Sequence, residues 1–126
     1  MSSYLERTKA AEANFEGVIH ASCDDVIDDL IASGQKFDLI LTDPPYNVGK
    51  DFGNNTDSLP LDNFLAEMKN RVFKLKQLLT DEGSIIWFGI HDYICYIQVF
   101  MYEAGLSYRR LKARKPEHTV QRFPAR

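Results

Sequence analysis

Apolar residues along this chain switch between strand-like runs and helical spacing, and the switches mark out its elements. Val18-Ile19-His20-Ala21 is a short apolar run suited to a buried strand. Val26, Ile27, Leu30 and Ile31 then recur at helical spacing, with Asp25, Asp28 and Asp29 on the other face. Ser22 or Asp24 suits the cap of that helix, and Ser33-Gly34 suits its end. A second buried strand is predicted over Phe37 to Thr42, stopped by Pro44-Pro45. Residues 47–60 are polar and carry Gly49, Gly53, Asn54 and Asn55, the composition of a long loop. Helical spacing resumes with Phe64, Leu65, Met68, Val72, Phe73, Leu75, Leu78 and Leu79, and Asp81-Glu82-Gly83 reads as the turn that closes it. Ser84 to Gly89 is a third strand, Asp92 to Glu103 a helix ending at Ala104-Gly105, and Leu106 to Leu111 the start of a fourth strand.

Strands and helices in alternation predict an α/β fold, a parallel sheet of about four strands with crossover helices. The chain divides into an N-terminal helix or arm (1–16), an α/β unit (17–111) and a basic C-terminal tail (112–126) that suits disorder. With 126 residues there is room for one domain. No apolar run reaches the roughly 18 residues that would span a bilayer, and Met1 to Arg7 lacks the pattern of a secretion signal. A cytoplasmic protein is expected. Cys23 and Cys95 form no CxxC pair and are expected as reduced, half-buried thiols. His20, His91 and His118 have no metal-ligand spacing, so no metal is expected.

Charge changes the picture at one end. From Arg109 to Arg126, seven basic residues stand against one acid, Glu117. That segment is therefore +6, which leaves −9 on the first 108 residues of a chain whose net charge is −3. A basic strip on an acidic body suits phosphate binding, with Arg109 and Arg110 as candidate contacts; a solvated tail is the other reading.

The candidate chemistry lies in Asp43-Pro44-Pro45-Tyr46, directly after the second strand. In an open parallel sheet, ligands bind beyond the carboxyl ends of the strands. Two successive prolines fix the backbone and remove two N–H donors, so a carboxylate, a rigid carbonyl and an aromatic ring are presented together. An exocyclic amino group of a nucleobase carries two N–H donors that match this set. One goes to the Asp43 carboxylate and one to the Pro44 carbonyl, while Tyr46 stacks on the base. Accepting both hydrogen bonds favours a nucleophilic nitrogen that attacks a methyl donor directly. Such a base must leave the duplex, and stacking on Tyr46, worth about 1–3 kcal/mol, offsets part of that cost. The same tetrapeptide also suits a plain turn followed by a half-buried aromatic.

Residues 37–50, Phe-Asp-Leu-Ile-Leu-Thr-Asp-Pro-Pro-Tyr-Asn-Val-Gly-Lys, closely resemble the catalytic motif of bacterial and phage adenine-N6/cytosine-N4 DNA methyltransferases. The resemblance extends over about residues 17–111, as the catalytic half of a methyltransferase domain with a partial Rossmann-like sheet. It implies DNA as substrate, S-adenosylmethionine as methyl donor, and adenine ahead of cytosine. The motif begins after only one strand–helix unit, which resembles the order in which the catalytic half precedes the cofactor half. Asp43, Pro44, Pro45 and Tyr46 carry over as catalytic residues. Asp43, Ser22 and Asp24 carry over toward the cofactor, and Tyr46, Asn47, Lys50, Arg109 and Arg110 toward nucleic acid. Ala21-Ser22-Cys23 stands where the family often has Gly-Asp-Cys, so Ser22 takes the usual acidic position. The family's glycine-rich cofactor motif is absent from these 126 residues, and the expected strand after Arg110 gives way to Leu111-Lys112-Ala113-Arg114-Lys115-Pro116. A truncated or frame-shifted gene, or a split enzyme with its cofactor half on a second polypeptide, is therefore expected. Homo-oligomerisation is expected too, because a parallel sheet without its cofactor-side strands leaves an open edge. Methylation of protein glutamine or RNA is a further reading that Asp43 disfavours, since those enzymes more often have Asn there.

Overall fold

A computed structural model describes residues 17–47, 50–51 and 56–110. The order is α1 (Cys23–Ser33), β1 (Phe37–Thr42), β2 (Lys50–Asp51), β3 (Thr56–Asp57), α2 (Leu61–Gln77), β4 (Leu79–Trp87) and α3 (Ile94–Glu103). The predicted arm over 1–16 and the basic tail over 112–126 lie outside the described residues, as do Gly49, Gly53, Asn54 and Asn55.

Helix α1 carries Asp24 and Asp25 in its first turn, where the helix dipole favours negative charge. It ends at Gly34, whose φ of 78° lets its N–H reach the Ile31 carbonyl and the next N–H, from Gln35, reach Leu30. That is a Schellman stop, and it needs a residue without a side-chain penalty at positive φ. Helix α2 buries Phe64, Met68, Val72 and Leu75 along one stripe, with Asp62 at its start and Lys74 and Lys76 near its end. It forms the centre of the core. Phe64, Met68 and Val72 pack with Ile97 of α3, while Leu75 and Leu78 pack with Ile27 of α1 and with Ile40 and Ile85 of the sheet.

Strands β1 and β4 pair in parallel, with Leu39 opposite Ser84 and Thr42 opposite Trp87. The Phe88 N–H continues the ladder onto the Thr42 carbonyl at 2.9 Å. Strands β2 and β3 form a separate two-residue antiparallel pair within the predicted loop. Between Phe37↔Leu79 and Leu39↔Ser84 the register shifts, so β4 carries extra residues against β1. The expected turn at Asp81-Glu82-Gly83 is this irregularity inside β4. The helix stops instead at Gln77, with Leu78 as its cap and Leu79 already in the strand.

Two further expectations are corrected. Val18-Ile19-His20-Ala21 forms no strand; Val18 is 96% exposed, and no neighbouring strand accepts its backbone groups. Residues 106–110 form no strand either. Gly105, at φ 89°, closes α3, and the Leu106 N–H bonds back to Met101 rather than to a strand. The parallel sheet among the described residues thus has two strands, not about four. Both cysteines are free and exposed, not half-buried. No described helix is long and apolar enough to cross a membrane, and no cluster of potential metal ligands occurs among the described residues.

Candidate active site at the end of strand β1

Thr42 ends β1, and Asp43 to Asn47 continue directly from it without regular structure. Pro44 is buried, Asp43 and Pro45 are exposed, and Tyr46 and Asn47 are half-buried. Pro44, Pro45 and Tyr46 line an apolar cleft with Phe64 and Met68 of α2, Trp87 of β4 and Tyr93 before α3. Its volume is about 10 Å³, the room of a single water-sized sphere. A cleft of that size does not hold a nucleobase.

The Tyr46 hydroxyl donates to the Asp43 carboxylate. This hydrogen bond, with some desolvation and the nearby negative charge, pushes the Tyr46 phenol above its ordinary value. A carboxylate has about four acceptor sites on two oxygens, so Asp43 retains capacity for an incoming amino group. Asn47 stands at φ 56° and is the one non-glycine residue with positive φ among those described. Its side-chain amide makes two hydrogen bonds to the backbone of Leu59.

The other sequence-predicted residues are dispersed. The Asp24 carboxylate accepts from Arg71 Nε at 3.0 Å and from Arg71 Nη2 at 2.9 Å, midway along α2. That pairing holds the Asp24 carboxyl below its usual range, against a smaller opposing effect of burial. Ser22 precedes α1 without a side-chain capping bond. Neither Ser22 nor Asp24 lines the cleft. Arg109 and Arg110 line a different groove, of about 850 Å³, between β4 and α3. Lys50 is placed by its backbone, in β2.

Two contributors were not foreseen. Tyr93 packs on the Phe64 ring (centroids 4.9 Å apart, tilted 56°), and its hydroxyl reaches the Asn47 carbonyl at 3.5 Å. Arg71 is the partner that takes Asp24. The Tyr93 contact spans 46 residues and the Arg71 contact 47, so no local pattern signals either.

The parallel pair β1 and β4 with α2 between them is a βαβ unit, and the Asp-Pro-Pro-Tyr loop stands at the carboxyl end of its first strand, where open α/β sheets bind ligands. A DNA methylase family profile matches residues 37–121, and the chain belongs to that family. The matched stretch contains the loop and runs ten residues past Leu111. Among curated proteins, the chain is 40% identical over 60 residues to Type II methyltransferase M.HpaI of Haemophilus parainfluenzae, covering 48% of this chain and 19% of that one. It is 37% identical over 51 residues to Type II methyltransferase M.MjaVI of Methanocaldococcus jannaschii, covering 40% of this chain and 26% of that one. The matched stretch therefore spans about a fifth of the first relative and a quarter of the second. No solved structure matches the chain.

Proposed function

We propose that this chain supplies the base-binding side of a DNA amino-methyltransferase that acts on the N6 of a flipped adenine in preference to the N4 of cytosine. The observation that carries the reading is the Asp43 carboxylate and Pro44 carbonyl at the end of β1, with Tyr46 beside them. The Asp43 carboxylate accepts one amino hydrogen and the Pro44 carbonyl the other. Pro45 keeps the loop rigid, and Tyr46 offers a ring face for stacking. No general base of shifted pKa is needed, because the proton leaves after transfer. Arg109, Arg110 and Lys50 are candidate phosphate contacts, and a cytoplasmic setting follows from the substrate.

S-adenosylmethionine is the donor this reading calls for, and the described residues do not fit it. They include no glycine-rich turn between a strand and a helix, Asp24 is committed to Arg71, and Ser22 lies away from the cleft. No step is assigned to donor binding by these residues. This favours a second reading, in which the chain contacts DNA or a partner chain and methylates only when another segment or polypeptide holds the donor.

Two measurements test the pair. Under the first reading, mass spectrometry of adenine-containing DNA incubated with the full chain and S-adenosylmethionine should detect N6-methyladenine, and Asp43→Ala should lower its yield at least about 100-fold; under the second, N6-methyladenine should form only when the donor-holding part is added. Isothermal titration then separates the readings: micromolar donor binding supports the self-sufficient enzyme. No binding up to millimolar donor supports a split enzyme. Methylation untouched by Asp43→Ala would sink both.

A further inference from the structure

Both polar ends of the Asn47 side chain bond a single residue further along the chain. Nδ2 donates to the Leu59 carbonyl at 3.0 Å, and Oδ1 accepts the Leu59 N–H at 2.6 Å. A primary amide carries one donor end and one acceptor end, as a peptide group does, so Asn47 pairs with Leu59 much as a neighbouring strand residue would. Leu59 suits that role because Pro60 follows it, and the residue before a proline is held extended. The backbone of Asn47 is fixed as well. Its positive φ is a conformation asparagine tolerates better than most side chains. Its carbonyl faces the Tyr93 hydroxyl, and Tyr93 is itself packed on Phe64 in the cleft wall.

We infer that Asn47 is a positioning residue of the base-side site: it clamps the chain immediately after Tyr46 to the foot of α2, and so fixes where the Tyr46 ring and its hydrogen-bonded Asp43 carboxylate stand. The inference rests on the methyltransferase reading for what the site binds, but not for the clamp. The clamp does not exclude the expected contact of Asn47 with nucleic acid, because Leu59 takes one of the amide's two N–H donors and one of its two oxygen lone pairs. Upstream, buried Pro44 anchors the tetrapeptide; downstream, the clamp does. Tyr46 lies between two fixed points.

The test uses the full chain with two readouts: hydrogen exchange at the Leu59 amide, and quenching of 2-aminopurine placed in a single-stranded oligonucleotide, which reports stacking of that base. Asn47→Gly keeps the left-handed backbone and removes the clamp. It should speed Leu59 exchange and weaken oligonucleotide quenching, each by about tenfold, the equivalent of about 1.4 kcal/mol for the loss of the amide's two hydrogen bonds. Its unfolding midpoint should stay near that of the wild type. Asn47→Asp keeps the acceptor and should retain much of the Leu59 protection. Tyr46→Ala should lose quenching while Leu59 stays protected. Wild-type Leu59 exchange in Asn47→Gly overturns the inference, and if quenching falls all the same, the amide touches nucleic acid directly. A wild-type chain that quenches nothing sinks the base-side reading instead. The clamp is then judged by Leu59 alone, and fast exchange there in the wild type overturns it.

Discussion

The Tyr46 hydroxyl donates to the Asp43 carboxylate, which gives the loop a tyrosine titration that can be followed. The hydrogen bond to Asp43 raises the Tyr46 pKa. Asp43→Asn should therefore bring Tyr46 back toward the ordinary tyrosine value, seen as a downfield ring-carbon titration at lower pH by NMR. Because the folded value is the raised one, the contribution of this bond is present at neutral pH and is lost as pH rises through the folded Tyr46 pKa. The Asp24–Arg71 pair has the opposite sign. Its carboxyl is depressed, so its contribution is present above the unfolded carboxyl value and disappears as pH falls through the folded one. The Asp24 side chain is 52% exposed and that of Arg71 only 11%. Solvent screening on the acid side keeps the effect of Asp24→Asn to about 1 kcal/mol. Urea unfolding at neutral pH should show that loss, and the difference from wild type should shrink as pH falls below about 4.

At the level of elements, Gly83 is a glycine whose absent side chain would meet backbone. A Cβ built there would stand 3.0 Å from the Phe37 carbonyl oxygen and 3.1 Å from that of Thr80. Neither backbone atom moves easily, so Gly83→Ala should destabilise by about 1–3 kcal/mol, measured by urea unfolding. The sequence marked Gly83 as a turn residue. It could not show that the turn sits inside a strand, because that depends on the Phe37↔Leu79 pairing more than forty residues away. The helices and β1 were legible because their patterns are local: a buried stripe at helical spacing in α2, or six residues of strand halted by prolines. The outer strands misled for the same physical reason in reverse. Val18 to Ala21 and Leu106 onward have strand-like composition, but a strand exists only where a partner accepts its hydrogen bonds. The Asp43 loop was legible as chemistry, whereas the Asn47 clamp was not, since its partner lies twelve residues on and is recognised only as backbone.

At the scale of the whole molecule, the described residues cover the sheet on one side. Ile40, Ile85 and Trp87 face the helices, whereas Leu39 and Leu41 on β1 and Ile86 on β4 are 56%, 63% and 48% exposed. Parallel sheets are ordinarily buried on both faces. Light scattering of the chain alone should therefore show dimers or larger species, and a monodisperse monomer would contradict this. Leu41→Lys should shift the population toward monomer with a change in stability within about 0.5 kcal/mol, because that side chain is already largely in water.

Trp87 is the only tryptophan in the chain. It packs against both hydrophobic clusters, and it lines both the cleft beside Tyr46 and the groove that carries Arg109 and Arg110. The protein thus contains a single tryptophan, which can be excited apart from its six tyrosines and which borders both the cleft and the groove. If the two clusters melt separately, one emission spectrum will show two transitions. Ligands entering by the cleft or by the groove would report to the same ring, so an unlabelled chain can be screened for either.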